Sequence, residues 1–120
     1  MKRILLIDDD SLLLEVMRQT LSQAGYEVST AADGKEASAL YASRKPDIVI
    51  TDVYMPNKDG LEALMELREN FPHIKLIAMS GGVAKTNLLE VARVLGASCT
   101  LVKPFQPEEL LQAVSQVAAS

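Results

Sequence analysis

The chain has 120 residues, of which 48% are hydrophobic, and its formal net charge is −4. This length predicts a single domain over residues 1–120, with a real hydrophobic core and no output domain. The acidic balance, without any run of lysine and arginine, argues against direct binding of nucleic acid, so a protein is the expected partner. The sequence has one cysteine, Cys99, no signal peptide and no apolar run long enough to cross a membrane. We therefore expect a cytoplasmic protein without membrane association.

The first half of the chain alternates short apolar runs with segments of helical periodicity. Lys2 to Ile7 predicts a first strand, and a helix follows it as far as Gly25. Glu27 to Ala31 has the alternation of a second strand, and Gly34 opens a second helix. The positions predicted to form the apolar faces of these helices are Leu13, Val16, Met17, Thr20, Leu21 and Ala24 in the first and Ala37, Leu40 and Tyr41 in the second.

The second half continues the same alternation. Ile48 to Ile50 is a β-branched run of the kind that is buried on both faces of a sheet. The later predicted elements are a helix ending near Phe71, a strand at Ile74–Met79, a helix at Asn87–Leu95, a strand at Cys99–Val102 and a last helix that begins at Pro107. Five strands that alternate with five helices predict an α/β fold, in which a parallel sheet carries helices on both faces.

Polar side chains stand where most of the predicted strands end. Asp8 and Asp9 follow the first strand, Asp52 the third, Ser80 the fourth and Lys103 the fifth. Because sites in open α/β sheets form outside the carboxyl ends of the strands, we expect these side chains to converge. Carboxylates suit a hard cation such as Mg²⁺, and a lysine and a hydroxyl remain for an anionic group beside it. This inventory suits phosphoryl transfer, in which a carboxylate can be the nucleophile.

Two other acids, Asp10 and Asp59, are interpreted as helix caps. Asp10 precedes the first helix, where its oxygen can accept hydrogen bonds from free backbone N–H groups. Asp59 stands three residues before Glu62, which is the spacing of a capping box. We therefore leave both acids out of the predicted site.

The motifs at the strand ends are specific in combination. They are Asp8-Asp9 after the first strand, Asp52-Val53-Tyr54-Met55-Pro56 with Asp59-Gly60 after the third, Ser80 after the fourth, and Gly96-Ala97 leading to Lys103-Pro104-Phe105 around the fifth. Together they resemble the receiver domain of bacterial two-component response regulators, and the similarity extends over the whole chain. The resemblance implies a flavodoxin-like (βα)5 fold with the strand order 2-1-3-4-5.

The resemblance also implies roles for the acidic residues. Asp52 would be the phosphate acceptor. Mg²⁺ would be the cofactor, bound directly by Asp9, by Asp52 and by the backbone carbonyl of Tyr54. Asp8 would act on the metal mainly through bound water.

Two further residues are implied to contact the phosphoryl group, Ser80 by a hydrogen bond and Lys103 by its charge. In this family the peptide bond that corresponds to Lys103-Pro104 is commonly cis, which costs only ~0.5–1 kcal/mol before proline. The implied function is a switch: a sensor histidine kinase or a histidine phosphotransfer protein delivers the phosphoryl group, and the surface near the fourth helix, fifth strand and fifth helix changes shape. Such a domain promotes its own phosphorylation and dephosphorylation but turns over no independent substrate.

The sequence departs from the family pattern at three places. Thr100 stands where such receivers usually have an aromatic residue that turns inward on activation. Tyr54 is bulky at a position that the family implies to tune the lifetime of the phosphate. The segment from Ser80 to Lys103 is about one residue longer than usual, which could alter the output face.

Three other readings of the sequence stay open. An aspartyl-phosphate hydrolase of the haloacid dehalogenase type also uses aspartate, lysine, a hydroxyl and Mg²⁺, but it usually has an acid where Tyr54 stands. A flavodoxin-like cofactor carrier needs a first loop rich in small and hydroxyl residues, and Asp8-Asp9-Asp10 would repel a phosphate there. A receiver fold that only docks partners is disfavoured because every core residue of the phosphorylation site is present.

Overall fold

The computed structural model describes residues 2–52, 65, 68–69, 72–80 and 96–119, with the backbone alone at residue 80. The strands are β1 (Arg3–Ile7), β2 (Glu27–Ala31), β3 (Ile48–Asp52), β4 (Lys75–Ser80) and β5 (Cys99–Val102), and the helices with described bounds are α1 (Ser11–Gln23), α2 (Gly34–Arg44) and the C-terminal helix (Pro107–Ala119). Met65, Arg68 and Glu69 are also helical. The elements with described bounds agree with the predictions to within two residues at each end. The predicted end of the helix near Phe71 and the predicted capping box of Asp59 and Glu62 lie outside the described residues. The predicted helix at Asn87–Leu95 lies outside the described residues.

The strands form one five-stranded parallel sheet in the order β2-β1-β3-β4-β5. This confirms the flavodoxin-like (βα)5 order that the resemblance implies. The chain moves outward from β1 to β2 and then returns to the other side of β1 with β3, so the connections that leave β1 and β3 diverge. Such a switch point leaves a crevice at the carboxyl ends of the two strands. Ile7 pairs with Thr51 across these strands, so Asp8 and Asp52 follow at the same edge.

Alternate residues of the central strands enter two separate hydrophobic cores, because successive side chains of a strand point to opposite faces. On one face, Ile4 and Leu6 of β1 pack in a cluster with α1 and the C-terminal helix. On the other, Leu5 and Ile7 pack with α2. β1 and β3 are therefore buried on both sides, as their continuous apolar runs predict.

The apolar face of α1 differs from the prediction at three positions: Leu14, outside the predicted face, is buried, whereas Val16 and Ala24, within it, are exposed. Leu14, Met17 and Leu21 are its buried residues, whereas Val16 is 50% exposed. Leu14 and Val16 lie two residues apart and so on different sides of the helix, and packing against the C-terminal helix selects the Leu14 side. The apolar pattern of the sequence allows either choice, since Leu12, Leu13 and Leu14 are consecutive.

Both amino-terminal helices begin at an aspartate cap. The Oδ1 atom of Asp10 accepts hydrogen bonds from the backbone N–H groups of Leu12 and Leu13, each at 3.1 Å, which confirms the predicted role of Asp10. At α2, Oδ1 of Asp33 accepts a hydrogen bond from the N–H group of Glu36 at 2.8 Å. These bonds satisfy donors that have no partner inside the helix.

Arg68 fixes the turns that lead into β4 and β5. Its Nη1 atom donates to the backbone oxygens of Pro72 at 3.3 Å and Ile74 at 2.7 Å, and Nη2 donates to the oxygen of Gly96 at 2.8 Å. Gly96 has a φ of +82°, a conformation that glycine adopts without a Cβ clash. One guanidinium thus holds the amino ends of two neighbouring strands.

A helix needs about 20 mostly apolar residues to cross a bilayer. The longest helices with described bounds, α1 and the C-terminal helix, have 13 residues each. Across the described ranges, no helix has the length and apolar character of a membrane span.

Candidate functional site

Three aspartates meet at the carboxyl ends of β1 and β3. Asp8 is fully buried and Asp52 is 6% exposed, whereas Asp9 is exposed to solvent. One carboxylate oxygen from each residue lies within 4.8 Å of the other two. The backbone N–H group of Asp8 also donates to the oxygen of Ala31 at 3.1 Å, which extends the β1–β2 ladder by one residue. The predicted convergence of these acids is therefore present.

The loop after β1 is held by its own side chains. The backbone N–H group of Asp10 donates to Oδ1 of Asp8 at 3.0 Å, while the Asp10 carboxylate caps α1. The buried carboxylate of Asp8 is therefore fixed from one side by the start of the helix. Asp9, between them, is left facing the open side of the crevice.

Lys103 reaches the same crevice from the end of β5. Its Nζ atom donates to Oδ2 of Asp8 at 2.6 Å and to Oδ2 of Asp52 at 2.9 Å, and its side chain is 23% exposed. The Lys103-Pro104 peptide bond is cis, as the resemblance implies. One ammonium group therefore bridges the acids at the ends of β1 and β3. Lys103 is 95 positions from Asp8 and 51 positions from Asp52 in the chain.

The charges of the site act on one another. Burial lowers the pKa of Lys103, but its hydrogen bonds to Asp8 and Asp52 outweigh burial and raise that pKa above its usual value. Lys103 therefore stays positively charged. Desolvation raises the pKa of Asp9, and the neighbouring carboxylate of Asp8 raises it further. Three carboxylates against one ammonium leave an excess of negative charge in a mostly buried place.

The donor set fits a magnesium ion. Carboxylate oxygens are the ligands that Mg²⁺ prefers, and this ion commonly takes one or two carboxylates and keeps several waters. Here Asp8, Asp9 and Asp52 offer oxygens of one cluster, and Asp9 lies on the side where water can enter. A divalent cation would also compensate the excess negative charge, which a single lysine does not.

Two predicted site residues are described in part or not at all. Ser80 is the last residue of β4, and its backbone pairs with Val102 of β5, which places it one residue beyond the Asp52–Met79 pair. Its hydroxyl lies outside the described part of the chain, as does Tyr54 with its carbonyl. The structure thus brings together Asp8, Asp9, Asp52 and Lys103, and it places the backbone of Ser80 at the same edge of the sheet.

Two exposed apolar residues lie beside this site; the sequence predicts Val16 on the buried face of α1 and gives no signal for Leu12. Leu12 is 75% exposed and Val16 is half exposed, one turn apart on α1. Leu12 belongs to the turn that Asp10 caps, so this apolar pair begins next to the acidic loop. Since Leu12 is the first of three consecutive leucines, only the packing of α1 reveals which of them faces solvent.

Comparison with known families gives one match over most of the chain. Residues 4–115 match the family described as the response regulator receiver domain. Among curated relatives, the Chemotaxis protein CheY of Thermotoga maritima is 35% identical over 118 residues, which cover 98% of both chains. The alkaline phosphatase synthesis transcriptional regulatory protein PhoP of Bacillus subtilis is 37% identical over 112 residues, but these cover only 45% of that protein. The chain thus spans one relative in full and about half of the other.

Solved structures agree with the sequence relatives. The chemotaxis response regulator CheY4 of Vibrio cholerae matches with a TM-score of 0.85 and 34% identity, and 98% of each chain is covered. The receiver domain of NtrX from Brucella abortus matches with a TM-score of 0.88 and 27% identity. The chain therefore shares the fold and the sequence pattern of these proteins, and its acidic crevice lies at the edge of the sheet that the resemblance implies. The chain belongs to the response regulator receiver family of two-component signalling.

Proposed function

We propose that this chain is a single receiver domain that accepts a phosphoryl group on Asp52 in a Mg²⁺-dependent reaction and acts as a signalling switch. The observation that carries the proposal is the Nζ atom of Lys103, which lies within 2.9 Å of carboxylate oxygens of both Asp8 and Asp52. A nucleophilic carboxylate, its neighbouring acids and a fixed positive charge are the parts that phosphoryl transfer needs. Receivers are signalling domains rather than metabolic enzymes, so we propose no turnover of an independent substrate.

The transfer forms a bond between phosphorus and a carboxylate oxygen of Asp52. It breaks the bond between phosphorus and the donor's leaving atom, which keeps the bonding electrons. When bound, Mg²⁺ would neutralise charge on the transferring oxygens, held by Asp9, Asp52 and the carbonyl of Tyr54, with Asp8 acting through water. The ammonium group of Lys103 would then donate to a phosphoryl oxygen in place of a carboxylate oxygen. The hydroxyl of Ser80 would donate a hydrogen bond to a second phosphoryl oxygen.

Phosphorylation would change the surface around β5 through a movement of Lys103. Lys103 follows β5 directly, and the C-terminal helix begins four residues later at Pro107. Any movement of the ammonium group toward a phosphoryl group would therefore act on both elements, and on the neighbouring fourth helix predicted from the sequence. Thr100 is exposed on β5, so an aromatic side chain is not what reports the change here. The phosphoryl group would instead bias the population of two surface shapes.

Removal of the metal tests the reaction. Wild-type protein incubated with acetyl phosphate and Mg²⁺ is expected to gain the mass of one phosphoryl group, and with EDTA it is expected to gain none. Asp9→Asn is expected to slow the uptake at least roughly tenfold, because a metal supplies several kcal/mol of charge stabilisation. Glu15→Gln, an exposed acid of α1, is the matched control and should behave like wild type. Equal uptake with and without metal would contradict the proposal.

The hydrolase remains the rival that is easiest to exclude. Under the receiver proposal, p-nitrophenyl phosphate is not consumed catalytically, and one protein molecule accepts at most one phosphoryl group. Steady turnover of that ester would favour an aspartyl-phosphate hydrolase instead.

The phosphodonor would be a histidine kinase or a histidine phosphotransfer protein, and we propose that it docks on Leu12 and Val16. A protein donor must bring its phosphorus into the crevice beside Asp9, and this exposed apolar pair adjoins the crevice. Such a partner and the unpaired Cys99 are both consistent with the cytoplasm.

Leu12→Gln is expected to slow transfer from a phosphorylated phosphotransfer protein roughly fivefold. It should leave uptake from acetyl phosphate unchanged, because the small donor needs no docking face. Met65→Gln changes another exposed apolar residue and is the control; an equal loss with both variants would remove Leu12 from the interface.

A further inference from the structure

Thr51, the residue of β3 that precedes the proposed acceptor, places a hydroxyl in the interior of the protein. It is 1% exposed. Of the residues that the structure describes, the buried polar or charged ones are Asp8, Thr51 and Asp52. The two acids belong to the crevice, whereas the proposed phosphotransfer gives the hydroxyl of Thr51 no role. Since a buried hydroxyl costs free energy unless it is hydrogen-bonded, its contacts indicate why it is there.

The packing around Thr51 does not require a hydroxyl. Thr51 pairs with Ile7 of β1 on one side and with Ala78 of β4 on the other. Both residues belong to the hydrophobic core on the α2 face of the sheet, and so does Val49, which shares a side of β3 with Thr51. Valine has nearly the shape of threonine, and its second methyl group would avoid the cost of burying a hydroxyl in this core.

The hydroxyl of Thr51 contacts the backbone of the acceptor. Its Oγ1 atom donates a hydrogen bond to the backbone oxygen of Asp52 at 3.2 Å. The direction of this hydroxyl is restricted, because a β-branched side chain has few favourable χ1 angles. The oxygen of Asp52 belongs to the peptide bond through which the chain leaves β3. Since a peptide unit is planar, a bond that holds its oxygen also holds the orientation of the whole unit.

Asp52 is therefore fixed at two points. Its carboxylate accepts a hydrogen bond from Nζ of Lys103 at 2.9 Å, and its backbone oxygen accepts one from Thr51. The peptide unit that Thr51 holds leads toward Tyr54, whose carbonyl is a proposed ligand of the metal. Groups that orient metal ligands without contacting the metal commonly change metal affinity by about 10-fold to 100-fold when they are removed.

We propose that Thr51 is a positioning residue for the divalent cation of the crevice, acting through the backbone of Asp52. Its hydroxyl holds the peptide unit after the acceptor, so that the metal meets its ligands in a fixed arrangement. The cost of the buried hydroxyl is then offset by tighter metal binding. This inference rests on the proposed function, since it concerns the same metal site.

Two variants separate the hydroxyl of Thr51 from its methyl group. Mg²⁺ binding is measured without a phosphodonor, by NMR titration of the amide signals of Asp9 and Asp10. Thr51→Val is expected to weaken Mg²⁺ binding about tenfold, at the low end of such effects because 3.2 Å is long for a hydroxyl donor. Its midpoint of urea unfolding should equal or exceed that of wild type, because no hydroxyl is buried.

Thr51→Ser keeps the hydroxyl and removes a buried methyl group. Its Mg²⁺ affinity is expected to stay within about twofold of wild type, since the hydrogen bond to the oxygen of Asp52 is retained. Its midpoint of urea unfolding should fall, because a methyl group is lost from a packed core. The two variants are thus expected to rank in opposite orders for metal affinity and for stability, which a purely structural role of Thr51 would not produce.

Thr20→Val is the matched control. It removes a hydroxyl that also donates to a backbone oxygen, that of Val16 at 2.9 Å, but on α1, and it should bind Mg²⁺ like wild type. The proposal is overturned by equal Mg²⁺ affinity in wild type and Thr51→Val, by equal losses in Thr51→Val and Thr51→Ser, or by a loss in Thr51→Val that accompanies a lower unfolding midpoint. Wild type that binds no Mg²⁺ would contradict the proposed function itself, whereas normal binding by both wild type and Thr51→Val would contradict this inference alone.

Discussion

The Asp52→Asn variant is expected to gain no phosphoryl group from acetyl phosphate and Mg²⁺ under conditions in which wild-type protein gains one. An amide nitrogen or neutral amide oxygen is a far weaker nucleophile than the carboxylate of Asp52, and it is also a poorer ligand for a hard cation. The loss should be complete in intact mass spectra. The fold should survive the change, because Lys103 keeps its ion pair with Asp8.

Asp10→Asn is the matched control for that experiment. It removes a neighbouring negative charge but keeps the cap of α1, since asparagine is as good as aspartate at this position. Uptake of one phosphoryl group by Asp10→Asn and none by Asp52→Asn would assign the acceptor. A modified Asp52→Asn protein, with the phosphoryl group on another acid, would show that the acceptor lies elsewhere.

The Lys103→Met variant is expected to lose about 2 kcal/mol of unfolding free energy when Mg²⁺ is absent. Removing one partner of a fully buried ion pair costs ~3–5 kcal/mol, and the partial exposure of the lysine reduces that cost here. The carboxylates of Asp8 and Asp52 would be left close together without their shared cation. Urea unfolding with and without Mg²⁺ measures the effect.

Added Mg²⁺ should stabilise Lys103→Met more than it stabilises wild type. In the variant, no ammonium group competes for the oxygens of Asp8 and Asp52, so the metal binds more tightly and adds more stability by mass action. Lys35→Met, a change on the exposed surface of α2, should stay within about 0.5 kcal/mol of wild type in both conditions. If Lys103→Met were as stable as wild type without metal, the ion pairs of Lys103 with Asp8 and Asp52 would contribute nothing to the free energy of unfolding.

The sequence predicted the fold and the location of the site for a simple reason. The strands at the centre of a parallel sheet are buried on both faces, so they are continuous apolar runs whose ends are easy to see, as at Ile48 to Ile50. Charged residues directly after such runs lie at one edge of a parallel sheet, and this predicts that Asp8, Asp52 and Lys103 lie together. The cap at Asp10 is likewise a local property, since the hydrogen bonds join residues next to each other in the chain.

Other features depend on contacts between distant segments, which periodicity does not encode. Three consecutive leucines open α1, and only its packing against the C-terminal helix buries Leu14 and leaves Leu12 and Val16 in solvent. Met65 is likewise a large apolar residue that is exposed to solvent. The arginine clamp at Arg68 joins turns that lead into two different strands.

By itself, the sequence determined the order of the elements, the two-sided burial of the central strands and the edge of the sheet that carries the acids. The tertiary structure decided which apolar residues face solvent, which oxygens Lys103 bridges and which turns Arg68 joins. The physical reason is the separation along the chain over which each interaction acts. Hydrophobic periodicity and capping act within a few neighbouring residues, whereas charge pairing and the choice of buried side chains depend on segments that only the packed sheet brings together.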